Sequence, residues 1–419
     1  MNIGQLHKLY TKHYLIDTDS RKIRKGSVFF ALKGENFNGN KFASQALKKG
    51  SSYAIIDEEK YDGHPNIILV DDVLKTLQEL SNFHRKQLGI PIISLTGSNG
   101  KTTTKELVNA VLSKKFRTAA TLGNLNNHIG VPLTLLSMTP KTEIGIVEMG
   151  ANHISEIELL CRIAEPNYGL ITNFGKAHLE GFGSFEGVVK GKSELYQFIK
   201  TSHGIAFINS DDEIQVKQSS EMKVVSFNNN SIQFISANPF VVIQYKKNYI
   251  ESQLIGDYNY NNIACAIAIG NYFKVSINDI KDAIENYIPL NNRSQLLQKK
   301  NSKILLDAYN ANPSSMKAAL ENFNSLSAPL KIVILGDMFE LGSASSNEHQ
   351  NIAALATSYN FSEVHLIGKA FSTVKVKNAF VYDSFDNFKK SNKLSKINKA
   401  VILIKGSRGM ALERILDFL

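Results

Sequence analysis

The stretch SLTGSNGKTTTKEL, residues 94–107, follows the apolar run IPIIS and leads into a segment with helical spacing. An apolar strand, a glycine turn and a helix in that order strongly limit what can surround them. Such a chain builds a parallel sheet whose loop points backbone N–H groups, and the positive end of a helix, at a phosphate. The common phosphate-loop pattern G-x-x-x-x-G-K-[ST] requires glycine at position 95, where this chain has Leu95. The loop is therefore a shortened form. Gly97 and Gly100 still let the backbone approach phosphate oxygens. Lys101 can neutralise β- and γ-phosphate charge, and Thr102 is placed to put its hydroxyl on Mg²⁺. The alternative is an ordinary glycine-rich turn between strand and helix.

The remaining sequence divides into blocks. At 419 residues the chain is long enough for about three domains. Residues 1–88 carry short strand-like runs, GSVFFAL and YAIID, broken by the turn-rich KGENFNGNKF, and are expected to form a small α/β unit. In residues 89–291, the strands IPIISLTG, EIGIVEMG and YGLITNFG each end in glycine or polar residues ahead of a helical segment. That alternation builds a mainly parallel sheet and predicts the nucleotide domain. Residues 292–419 repeat it with KILLDAYN, LKIVILGD, EVHLIGKAF and AVILIKGSRG, which predicts a second doubly wound, Rossmann-like domain. The expected fold class is α/β in three domains, with ligand loops at the carboxyl ends of the strands.

Composition narrows the function classes. The formal charge is +10, yet the basic residues are dispersed as doublets such as Lys48-Lys49 and Lys389-Lys390, so anionic small substrates are expected and nucleic acid is not. No segment approaches the roughly 20 apolar residues of a membrane span, and the start lacks a signal-peptide run, so a cytoplasmic protein is expected. Cys161 and Cys265 stand far apart, without nearby His or Cys at metal-ligand spacing, and read as buried small apolar residues.

Two further residues carry chemistry on their own evidence. Glu148 closes an apolar strand, where a carboxylate can reach a loop-bound metal or simply face water. His178, in NFGKAHLEGFGS, also sits just past a strand, and a lone loop histidine is more often structural than a ligand.

Six segments in order, TGSNGKTTTKEL, TLGNLNNHIGVPLTLL, VEMGANHISEIELL, TNFGKAHLEGFGS, DAYNANPSSMKAAL and LGDMFELG, resemble the Mur ligases over nearly the whole chain. The likeness is greatest to the branch that adds D-alanyl-D-alanine to UDP-N-acetylmuramoyl-tripeptide. That family's loop is the short form, and it falls on Gly97, Ser98, Asn99, Gly100, Lys101, Thr102 and Thr103. The resemblance implies that Glu148 and His178 join Thr102 around Mg²⁺. It also implies that Lys192, in GVVKGKSELY, is carbamylated, giving a two-oxygen anion near the metal. Asn259 and Asn262 fall on the adenine-binding segment, although the chain has Tyr258 where the family usually has histidine. Read from the residues alone, the two asparagines are equally a cap and a turn. Arg293 matches an arginine that meets the nucleotide phosphates, and could instead be an interdomain ion-pair partner. Asp307, Tyr309, Asn310 and Asn312 belong to the third domain's share of the nucleotide site.

For the other substrates, the resemblance assigns Asp19, Ser20 and Arg21 to the uridine-diphosphate region of the first domain. Asn38, Gly39 and Asn40 stand where the family commonly has Asp-Gly-His. Asn124 and Asn127 match a substrate-facing loop, and Lys405, Ser407 and Arg408 lie near the incoming peptide, with Arg408 expected to clamp its carboxylate. The implied reaction is ATP-dependent amide formation through an acyl phosphate, with Lys101, Lys192 and His178 as the catalytic groups. The implied partners are UDP-N-acetylmuramoyl-tripeptide and D-alanyl-D-alanine, and a monomer is expected. A phosphate-loop kinase or simple ATPase would need only the loop and Glu148, and would leave the first and third domains unexplained.

Overall fold

The computed structural model describes residues 1–228, 231–290, 292–391 and 399–419. Its central sheet has six parallel strands in the order Lys223–Phe227, Ile205–Asn209, Tyr168–Ile171, Ile92–Thr96, Ile144–Glu148 and Thr118–Ala120. Ile92–Thr96 sits mid-sheet and is buried at every position, which is why it carries apolar residues on both faces, Ile92 on one and Ile93 and Leu95 on the other. The helix Lys101–Leu112 leaves its carboxyl end, and the helix Asn259–Tyr272 packs against that helix. Residues Ile263–Gly270 of the second helix are all buried, so apolar residues surround its axis.

The same region also contains a three-stranded antiparallel sheet, Ile232–Ala237, Phe240–Tyr245 and Asn248–Ile255, an addition to the mainly parallel pattern read from the sequence. Its inner positions Val241, Ile243, Tyr245, Ile250 and Leu254 join the core beneath the helices.

The amino-terminal sheet has four parallel strands, Ile16–Asp17, Val28–Phe30, Tyr53–Ile56 and Ile67–Leu69. The carboxy-terminal sheet begins with Gln295–Lys299, antiparallel to Ser302–Asp307. It continues in parallel through Val401–Lys405, Lys331–Gly336, Glu363–Ile367 and Phe380–Tyr382. Because the last strand of the chain inserts between Ser302–Asp307 and Lys331–Gly336, the loops leaving these three strands gather at one edge, the place where open α/β sheets bind ligands. Both cysteines are free and buried. Among the described residues, no helix is long and apolar enough to cross a membrane.

Candidate active site

A cavity of about 860 Å³ opens where the phosphate loop faces the loops of the carboxy-terminal sheet. The loop is held from behind. Gly97 has φ +146° and Gly100 φ +78°, and a Cβ on Gly97 would lie 1.9 Å from Thr172 Oγ1. Only glycine therefore fits at either position. Asn99 N–H donates to Asn173 Oδ1 at 3.1 Å, and the Asn99 carbonyl accepts from Thr172 Oγ1 at 2.6 Å. Ser98 Oγ donates to the Gly175 carbonyl at 2.9 Å. The cradle is thus built before any anion arrives. Lys101 Nζ donates to the Gly97 carbonyl at 2.7 Å; burial lowers its pKa, and the nearby Glu148 carboxylate opposes that shift.

Glu148 is 1% exposed at the end of its strand. Its Oε1 accepts from Asn126 Nδ2 at 2.8 Å, whereas the buried Oε2 has no partner in the protein. A buried carboxylate oxygen left unpaired is costly and points to something it is meant to bind. His178 adopts φ 53°, lines the same cavity, and comes into close contact through Nδ1 with Glu340 Oε2. The Glu340 carboxyl is held below its ordinary range, chiefly by this contact.

Lys192 is fully buried on the helix Phe185–Thr201, and its Nζ has no hydrogen-bond partner. It stands 5.3 Å from the centroid of the Phe182 ring and does not line the cavity. Burial, reinforced by the Lys101 charge, drives its pKa well below the ordinary lysine value.

From the third domain come Arg293, Asp307, Tyr309 and Asn310. The Arg293 guanidinium lies 3.6 Å from the Tyr309 ring centroid, a stacked cation–π pair that fixes its plane. Asp307 accepts from Lys405 Nζ at 2.5 Å and from the Ser294 N–H at 3.2 Å. Asn259 and Asn262 also line the cavity, but their amides are largely spent within the protein. Thr104 Oγ1 donates to Asn262 Oδ1, Asn262 Nδ2 to Asn259 Oδ1, and Asn259 Nδ2 to the Ile255 carbonyl. This chain ties the loop helix to its neighbour.

The cavity brings together Ser98 through Thr103, Asn124, Asn127, Glu148, His178, Asn259, Asn262, Arg293, Asp307, Tyr309 and Asn310, while Gly97 of the same loop does not line it. Asn127 Oδ1 is occupied, accepting from Gly130 N–H at 2.9 Å. Five expected substrate residues lie outside: Asp19, Ser20, Arg21, Ser407 and Arg408. Arg21 is exposed and paired with Asp19 at 2.9 Å, and the neighbouring Ser20 is buried, its carbonyl accepting from Lys49 Nζ. Ser407 Oγ accepts from the Phe339 N–H at 2.9 Å, so it braces the loop that carries Glu340. Arg408 donates to Glu413 at 2.7 Å. Two residues that the sequence did not single out are Asn126, which orients Glu148, and Glu340, which meets His178. Both sit inside motifs already noted, TLGNLNNHIGVP and LGDMFELG, which mark the loops but not which side chain turns inward.

Three family descriptions match in sequence: Mur ligase family, catalytic domain, over residues 12–94; Mur ligase middle domain over 95–270; and Mur ligase, glutamate ligase domain, over 292–408. The chain is 35% identical over 418 residues to the UDP-N-acetylmuramoyl-tripeptide–D-alanyl-D-alanine ligase of Bacillus subtilis, covering 96% of this chain and 92% of that one. It superposes on a crystal structure of MurF from Acinetobacter baumannii with TM-score 0.86 and 28% identity, covering 96% of this chain and 92% of the other. The MurF ligase of Thermotoga maritima in complex with ADP gives TM-score 0.85 at 26% identity, covering 96% of both chains. On sequence, fold and the arrangement of the cavity, the chain belongs to the Mur ligase family.

Proposed function

We propose that the chain joins D-alanyl-D-alanine to UDP-N-acetylmuramoyl-tripeptide in peptidoglycan precursor synthesis, converting ATP to ADP and phosphate. The observation that carries this reading is the single cavity in which the phosphate loop and the unpartnered Glu148 oxygen face Arg293 and Tyr309 of the third domain. An ATPase needs only the first half of that arrangement. The second half closes on a nucleotide while leaving room for further substrates.

A carboxylate is a poor electrophile until one of its oxygens becomes a good leaving group. In this reading the tripeptide carboxylate attacks the γ-phosphorus of ATP, and ADP leaves. The dipeptide amine then attacks the acyl carbon of the acyl phosphate, loses a proton, and phosphate departs. No protein nucleophile is required, so the residues act by alignment and charge. Lys101 on the β- and γ-phosphates and Arg293 on the phosphates stabilise the charge that moves toward ADP. The uridine diphosphate is assigned to the first domain around Asp19, Ser20 and Arg21, the sugar-peptide to Asn124 and Asn127, and the dipeptide to the region of Ser407 and Arg408. Arg408 would have to leave Glu413 to act as its clamp.

Thr102, Glu148 and His178 suit Mg²⁺, because a hard dication would satisfy the orphaned Glu148 oxygen. Bound there, it would offset the charge of the phosphate oxygens. Lys192 suits carbamylation: a buried amine of lowered pKa is a neutral nucleophile toward carbon dioxide, and its Nζ has no competing partner. The reading includes a monomer that works in the cytoplasm, where ATP and nucleotide-linked sugars are available as substrates.

The test uses tripeptide substrate labelled with ¹⁸O in its terminal carboxylate, with ATP, Mg²⁺ and D-alanyl-D-alanine. Mass spectrometry should find the pentapeptide product and one ¹⁸O in the released phosphate. Product formed with unlabelled phosphate would exclude the acyl phosphate.

A further inference from the structure

The seam between the central and third domains carries two residues with left-handed backbones, His178 at φ 53° and Glu340 at φ 62°. Neither is glycine, and such conformations persist only where the surroundings impose them. They meet each other. Glu340 Oε2 is in close contact with His178 Nδ1, off the line of a well-aligned hydrogen bond, and the Glu340 carbonyl accepts from the Glu180 N–H at 3.1 Å. The loop bearing Glu340 is built within the third domain and does not depend on this contact. Met338 N–H donates to His349 Nε2 at 3.0 Å, Phe339 N–H to Ser407 Oγ at 2.9 Å, and Ser407 N–H to the Asp337 carbonyl at 3.1 Å.

We propose that Glu340 is a positioning residue for His178: its carboxylate, delivered by the third domain, holds the Nδ1 proton and so leaves the Nε2 lone pair free inside the cavity. A nitrogen lone pair is repelled by a carboxylate at contact distance, so Nδ1 is the nitrogen that carries a proton, and in the neutral ring the acceptor is then Nε2. Carboxylates that orient a ligand histidine in this way fix its tautomer and ring plane. Because His178 and Glu340 belong to different domains, the histidine is set only when the two are docked. Closure and assembly of the phosphate end thereby become one event. A second seam contact, Lys176 Nζ to Glu348 Oε1 at 2.7 Å, docks the same loop without touching His178. The inference rests on the reading of His178 given under Proposed function.

The test compares Glu340→Ala, Glu340→Gln, His178→Ala and Glu348→Gln. In metal-free protein labelled with ¹⁵N-histidine, His178 should show the Nδ1–H tautomer, and Glu340→Ala should convert it to a mixture or to Nε2–H. Turnover of the complete reaction should fall about 10- to 100-fold in Glu340→Ala, with partial recovery in Glu340→Gln, which retains an acceptor oxygen. The double variant His178→Ala/Glu340→Ala should be no slower than His178→Ala alone, whereas Glu348→Gln should multiply with His178→Ala. An unchanged tautomer in Glu340→Ala, or losses from Glu340→Ala and His178→Ala that multiply, would overturn the proposal. Full activity in His178→Ala would instead remove the role given to that histidine in the proposed function. A slow His178→Ala beside a normal Glu340→Ala would sink this inference alone.

Discussion

Asn312 Nδ2 donates to Asn99 Oδ1 at 2.8 Å, so the third domain touches the phosphate loop through one amide pair. Asn99 is also bound by Thr172 and Asn173 from the central sheet, which makes it the point where both domains hold the loop.

Asn312 has a second duty, capping the helix Pro313–Ser325 by accepting from Ser315 N–H at 2.9 Å. Serine caps nearly as well as asparagine but carries no amide to reach Asn99. Asn312→Ser should therefore keep its melting temperature and lose about fivefold in kcat/KM for ATP, equivalent to roughly 1 kcal/mol for one hydrogen bond. Calorimetry and steady-state kinetics on the same sample check both halves. Unchanged kinetics would mean that the pair is only a packing contact.

Lys192→Ala should cost on the order of 10²-fold in turnover, the scale of losing one preorganised charge. Added acetate should restore part of it by supplying anionic oxygens at the vacated position. Wild-type protein equilibrated with ¹³C-bicarbonate should show a carbamate resonance that the variant lacks. Absence of both the rescue and the resonance would leave Lys192 a buried amine.

Stability should fall in acid through a histidine far from the cavity. His84 is 1% exposed; its Nε2 meets the Met138 carbonyl at 2.9 Å and its Nδ1 meets His7 Nε2 at 3.1 Å. Burial lowers its pKa below the ordinary 6.5. As pH drops below 6.5 the unfolded chain takes up a proton that the folded one refuses, so stability is lost from there down to the folded pKa, by up to about 1.4 kcal/mol per pH unit. His84→Gln should flatten that slope in denaturant titrations between pH 7 and 5, values chosen to span about two units around the unperturbed pKa. An equal slope in the variant would place the acid sensitivity elsewhere.

The features legible in the sequence are the local ones. The phosphate loop follows from strand, glycine and helix in succession, and Glu148 from its place at a strand end. Roles set by distant partners were not legible. Asn126 faces Glu148 from 22 residues away, and Asn262 reaches Thr104 across 158. Ser407 reads as a substrate residue by motif, yet its hydroxyl braces Phe339. The antiparallel sheet of residues 232–255 is not legible inside a block that reads as mainly parallel, because alternation within a strand fixes a buried face and not a neighbour.

The central claim is the identity of the amine. Purified protein with UDP-N-acetylmuramoyl-tripeptide, ATP and Mg²⁺ should release phosphate only when D-alanyl-D-alanine is added, and not with free diaminopimelate, lysine or glutamate. Coupling of a diamino acid to a UDP-linked dipeptide, with no response to D-alanyl-D-alanine, would contradict the assignment within the family.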